Sequence, residues 1–240
     1  AATIDDMLSR GARALGEAGG GQTLGGGAQD YRYLPQAIEA ATGVAVHPKI
    51  ARHFKEAVLG RRLDGADAAS SEAIDDLIRR YALESYLTVE KLRRIVVETV
   101  MPPVRLAMKG LEEIAAQSHR LGLASIFHNA APTASILVAL AETYPRARMI
   151  AGHSNHPMFQ PDEAVATGRL LKDRGVTIDV STLDCIATRW RNGPENLDAL
   201  AEADLIDTLS TDFAGGDWDT ILSAIQRMIS RKQMPAPRAV

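Results

Sequence analysis

Leu123-Ala-Ser-Ile-Phe-His128 and Arg148-Met-Ile-Ala-Gly-His153 are two short apolar runs that each end in a histidine, and each gives way to a turn and an amphipathic stretch. The first passes through Pro132 into helical periodicity at 133–144, and the second reaches Pro161 and the pattern at 161–174. A short apolar run followed by a period of 3.6 is the mark of a βα unit. The same rhythm extends in both directions: further runs stand at 22–27 (weak), 44–47 and 94–99 before this pair and at 176–182 and 205–211 after it. Helical patterns separate them at 32–42, 50–58 with 71–87, 105–121, 195–203 and 217–231. Residues 3–18, with Ile4, Met7, Leu8 and Leu15 and a start signal at Thr3, read as one more helix. Gly122 and Gly175 fall where left-handed helix ends are wanted, and Pro161 and Pro194 fall at first-turn positions.

About seven strands alternating with helices predict an α/β fold with a parallel sheet. A doubly wound sheet should show Gly-x-Gly-x-x-Gly after its first strand, and the glycines at 19–21 and 25–27 lack that spacing. In a (β/α)8 TIM-type barrel, polar residues gather at the C-terminal strand ends, as they do here. The expectation is an incomplete barrel occupying 1–240 as a single domain, with a polar excursion at about 55–72.

Composition limits the function classes. The 240 residues are 46% apolar and 24% charged, and 27 Lys and Arg against 30 Asp and Glu leave a net charge of −3. That is the balance of an ordinary globular protein. No basic stripe invites nucleic acid, and no run is long and apolar enough for a membrane span, so neither is expected as a partner. The single cysteine, Cys185, excludes an internal disulfide and any Cys-cluster metal site, which fits a cytoplasmic protein acting on a small molecule.

Three strand tips carry the chemistry: His128, His153, and Asp212 after Leu209-Ser-Thr. In a barrel these converge on one mouth. Two neutral imidazoles and a carboxylate suit a divalent cation, Zn²⁺ first, with Mn²⁺, Co²⁺ or Fe²⁺ also fitting. The competing reading of each residue alone is plain: a histidine hydrogen-bonded in a loop, or an aspartate capping the next helix.

These tips, with Gly152-His153-Ser-Asn-His156 and Ser210-Thr-Asp212 in that order, resemble strands five, six and eight of the amidohydrolase superfamily, nearest its phosphotriesterase-like branch. The resemblance is good over roughly 90–230 and loose before. It implies a distorted barrel holding one or two metal ions, with His-x-His on strand one, a carboxylated Lys or a Glu on strand four, and hydrolysis of an ester, lactone, amide or phosphotriester bond. It also implies that Asp212 both ligates and accepts the proton of the attacking water.

For strand four, Glu98 sits in the β-branched run 94–99, where an unpaired buried carboxylate would be costly. By the resemblance Glu98 becomes the bridging ligand. Its rival Lys109 falls in a helical pattern and reads as a solvated lysine. His156 would touch substrate or orient a ligand, and His47 ends its run towards the same mouth. Asp184, Arg189 and Trp190, in the loop after the run at 176–182, are expected to line the substrate pocket. No His-x-His occurs in the chain, so the sequence reads as a fragment that begins after strand one. Its exposed strand edges would then favour homo-oligomers. The alternative is a catalytically silent barrel that binds or assembles. A metal-free lyase or aldolase would want a lysine at a strand tip, and none is there.

Overall fold

The computed structural model describes residues 3–18, 23–24, 27–182, 193–211 and 220–239. They form two compact units, residues 1–18 with 110–240, and residues 19–109. Among the described residues, no helix is long and apolar enough to cross a membrane.

Among the described residues, the first unit is built on a five-stranded parallel sheet in the order β1-β2-β3-β4-β5, with β1 Ala14–Ala18, β2 Ala124–His128, β3 Arg148–Gly152, β4 Thr177–Ser181 and β5 Thr208–Ser210. Helices α6 (Ala134–Thr143), α7 (Pro161–Lys172) and α8 (Glu195–Glu202) connect β2 through β5, and α9 (Thr220–Ser230) and α10 (Ala236–Ala239) follow. Spatial order equals chain order, with no reversal of the kind that marks a doubly wound sheet.

Register sorts the side chains onto two faces, because paired residues of neighbouring strands point the same way. One face holds Phe127, Ala151, Ile178 and Val180, all fully buried. Val180 belongs to a core cluster with Leu197, Leu200 and Met228, so this face packs on helices. Ile126, Ile150 and Thr177 lie together on the other face, and two residues further on come His128 and Gly152. Asp179 pairs with Thr208 and Ser181 with Ser210 on that side as well. Apolar residues hold the sheet to its helices, and polar ones occupy the opposite face near the C-terminal strand ends. At Gly152 a Cβ would come 3.0 Å from Cγ2 of Ile126, so a side chain there would require Ile126 to shift.

Four of the anticipated runs, at 123–128, 148–153, 176–182 and 205–211, contain β2 to β5. The other three are not strands. The described residues of 22–27 are helical, and 44–47 is an extended segment whose His47 caps the next helix. The run 94–99 lies inside α5 (Val89–Leu121). Its β-branched residues mask a helical ladder: Leu92, Val96, Val100 and Val104 are buried at four-residue spacing, and burial of that stripe outweighs local β preference. Pro194 precedes α8 as its N-cap and is not a first-turn residue.

The N-terminal reading also changes. Thr3 and Asp6 do form a capping box, but α1 spans only Ile4–Ser9. Gly11 at φ 96° breaks it, and residues 14–18 pair with β2. Nothing in Ala-Leu-Gly-Glu-Ala has strong strand preference; its pairing partner makes it a strand.

The second unit contains a π-helical turn at Gln29–Tyr33, α2 (Leu34–Thr42), α3 (Pro48–Leu59) and α4 (Ser71–Arg80). The Asp30 carboxylate, 2.8 Å from Arg52 Nε, also pairs with Lys55, and that buried ion pair ties the turn to α3.

Candidate metal centre

Glu17 near the end of β1, His128 at the end of β2 and His153 just after β3 bring their polar atoms together at the C-terminal edge of three adjacent strands. Oε1 of Glu17 lies 2.7 Å from Nδ1 of His128 and 3.1 Å from Nε2 of His153. One potential ligand atom from each of the three falls within 4.8 Å of the others. The imidazole rings are 5.0 Å apart, centroid to centroid. The histidine side chains are 2% and 9% exposed, and that of Glu17 is 30% exposed, so the group is sheltered but opens on its carboxylate side.

Burial alone would raise the Glu17 carboxyl pKa, but hydrogen bonds from His128 and His153 outweigh it and hold the group well below the ordinary carboxylate range. Glu17 is therefore an anion at neutral pH. Nε2 of His128 is buried and has no hydrogen-bond partner. An orphaned imidazole nitrogen beside a carboxylate and a second imidazole is the donor chemistry of a divalent-cation site, so these residues fit a metal ion.

The loop after β3 is built to hold this arrangement. His153 has a left-handed backbone, φ 52°. The Ser154 N–H donates to the carbonyl of Asp179 at 2.8 Å, and Asn155 exchanges two 2.8 Å hydrogen bonds with the main chain of Ser181. The amide of Asn196 donates to the carbonyls of His156 and Phe159 at 3.0 and 3.2 Å. The Asp179 carboxylate accepts the hydroxyls of Thr208 and Ser210, each at 2.8 Å, and burial nonetheless pushes its pKa up.

His128 and His153 thus come together as the sequence leads one to expect. His156 stands beside them, its ring 5.2 Å from that of His128 and edge-on to it. Its Nδ1 accepts the Met158 N–H at 3.2 Å. Asp184, Arg189, Trp190 and Asp212 lie outside the described residues.

Glu98 does not belong to this centre. It is an exposed residue of α5, about opposite the buried ladder, and is not in the group of potential ligands; Lys109 is exposed on the same helix. His47 serves α3 as its N-cap, its Nδ1 accepting the Lys49 N–H at 3.2 Å. The residue that sequence reasoning missed is Glu17. The available signal was an acid near the end of a short run bounded by Gly11 and Gly19, hidden because Leu15 completes a helical face with Ile4, Met7 and Leu8. Comparison with known proteins gives no match: no family model, no curated protein and no solved structure is significantly similar to this chain.

Proposed function

We propose that this chain is a metal-dependent hydrolase of the amidohydrolase type, cleaving an ester, lactone, amide or phosphotriester bond with a divalent cation held by Glu17, His128 and His153. The observation that carries the reading is the convergence of one carboxylate and two imidazoles, one of them with an orphaned nitrogen, at the C-terminal ends of three consecutive parallel strands. Active sites of (β/α)8 barrels are built at that end. The unreversed strand order supports a barrel over a doubly wound sheet. On this reading β1 to β5 stand in the places of strands four to eight. Glu17 then takes the strand-four position of the bridging carboxylate, His128 and His153 take strands five and six, and Asp212 follows strand eight.

A divalent cation, Zn²⁺ first, supplies Lewis-acid activation of water and of the scissile carbonyl or phosphoryl group. Glu17 stays ionised and keeps its charge for the cation. His156, packed edge-on against the ring of His128, helps to orient that ligand. Asp212 takes up the proton of the attacking water and returns it to the leaving group, a role typically worth about 10²–10⁴-fold in rate.

The test is metal analysis of the purified chain, then hydrolysis of aryl esters, lactones, amides and phosphotriesters after loading with Zn²⁺, Mn²⁺, Co²⁺ or Fe²⁺. Hydrolysis that needs the metal and falls by at least about tenfold in Asp212→Ala is expected. Failure to bind any of the four metals would overturn the reading, as would a loaded protein that cleaves none of the substrates.

A further inference from the structure

Asp179 takes no part in the group of potential ligands, yet three strand ends meet on it. It stands on β4, 8% exposed. Its carbonyl accepts the N–H of Ser154 at 2.8 Å. From the other side, Thr208 Oγ1 donates to Oδ1 and Ser210 Oγ to Oδ2, each at 2.8 Å. Two hydroxyls of β5 thus hold the Asp179 side chain, and the carbonyl of the same residue holds the turn at 153–154. His153 adopts φ 52°, in the left-handed region that is uncommon for residues other than glycine, so neighbouring contacts help to hold the turn. The backbone angle sets the direction of the Cα–Cβ bond, so the left-handed turn decides where the His153 ring points. It points to Glu17, with Nε2 at 3.1 Å from the carboxylate.

We infer that Asp179 is a positioning residue, which with Thr208 and Ser210 locks the left-handed turn at His153 so that Nε2 of His153 faces the cation beside Glu17 and His128. The inference rests on the metal reading of this centre. Asp179 touches neither cation nor substrate and acts only through His153. Residues that orient ligands from behind typically carry about 10–100-fold of metal affinity.

The experiment is titration of the full chain with Co²⁺, read by its visible ligand-field spectrum and by competition with a chelator. It is run on the unaltered protein, on Asp179→Asn, and on Thr208→Val with Ser210→Ala, with circular dichroism as the folding control. The unaltered protein should bind Co²⁺. Asp179→Asn should weaken binding by about 10–100-fold and alter the ligand-field bands, since the imidazole is no longer held in place. The double variant, which keeps the carboxylate but removes its two donors, should shift both readouts in the same direction by a smaller amount. Unchanged affinity and spectrum in Asp179→Asn would overturn the inference. If Asp179→Asn does not fold, a double variant indistinguishable from the unaltered protein would overturn it. Absence of Co²⁺ binding by the unaltered protein would instead overturn the metal reading, and this inference with it.

Discussion

Oε1 of Glu17 and Nδ1 of His128 meet at 2.7 Å although 111 residues separate them in the chain. The contact joins the ends of β1 and β2, and it makes Glu17, not Glu98, the carboxylate of the centre. Substituting Glu17→Gln removes the anion and keeps the shape. Zn²⁺ affinity, measured by competition with a chelating dye, should fall by more than about tenfold, at least the loss seen when residues behind a ligand are changed. Glu98→Gln should leave it within about twofold, because Glu98 lies exposed on α5. Equal losses in the two variants would undo this assignment.

The site was half legible in the sequence for a physical reason. His128 and His153 end short apolar runs whose partners lie on both sides, and the helical period that follows each run marks it as the strand of a βα unit. Asp212 rests on the same sequence pattern. Glu17 sits in a strand made by its neighbour, and local preference carries no trace of that. Glu98 was drawn in by three β-branched neighbours, Val96, Val97 and Thr99, whose helical burial pattern emerges only when Leu92 and Val104 are counted with Val96 and Val100.

That pattern can be checked directly. Val96→Ala removes two buried methyl groups and should destabilise the protein by roughly 2 kcal/mol in urea unfolding. Val97→Ala, at a neighbouring exposed position, should shift stability by less than about 0.5 kcal/mol. Similar losses at both positions would fit a strand buried on both faces and contradict the helix.

Gly152 offers a steric test on the sheet's polar face. A methyl group there would approach Cγ2 of Ile126 to 3.0 Å, and Ile126 is 38% exposed and has room to move. Gly152→Ala should therefore cost only about 1 kcal/mol, the low end of overpacking. Ile126→Ala should cancel most of that cost in a double-mutant cycle. A strictly additive pair would show that the two residues do not touch.

Asp198 on α8 binds Arg227 on α9 through two hydrogen bonds of 2.9 and 2.6 Å, with Arg231 at 3.3 Å. Burial would raise the Asp198 pKa, but the Arg227 guanidinium outweighs it and lowers the value. A depressed folded-state pKa means that the pair's stabilisation is fully present above the unfolded carboxyl value of about 3.9 and is lost as pH falls through the lower folded value. Arg227→Met should cost about 1–2 kcal/mol at pH 7. The gap between variant and parent should close below about pH 4, and a gap that stays constant down to pH 2 would contradict the sign.

Ala14 pairs with Ala124, so the whole of residues 19–109 lies between two neighbouring strands. Contacts of such long range are entropically slow to form, whereas β2 through β5 follow one another at short intervals and have far less chain to close. Strand β1 is thus expected to join the sheet late in folding. The Glu17 carboxylate arrives at the two histidines with it. A cation bridging Glu17 and His128 would act as a clasp on the largest loop in the molecule, so that metal loading should slow unfolding most at the end of the sheet where the chain begins.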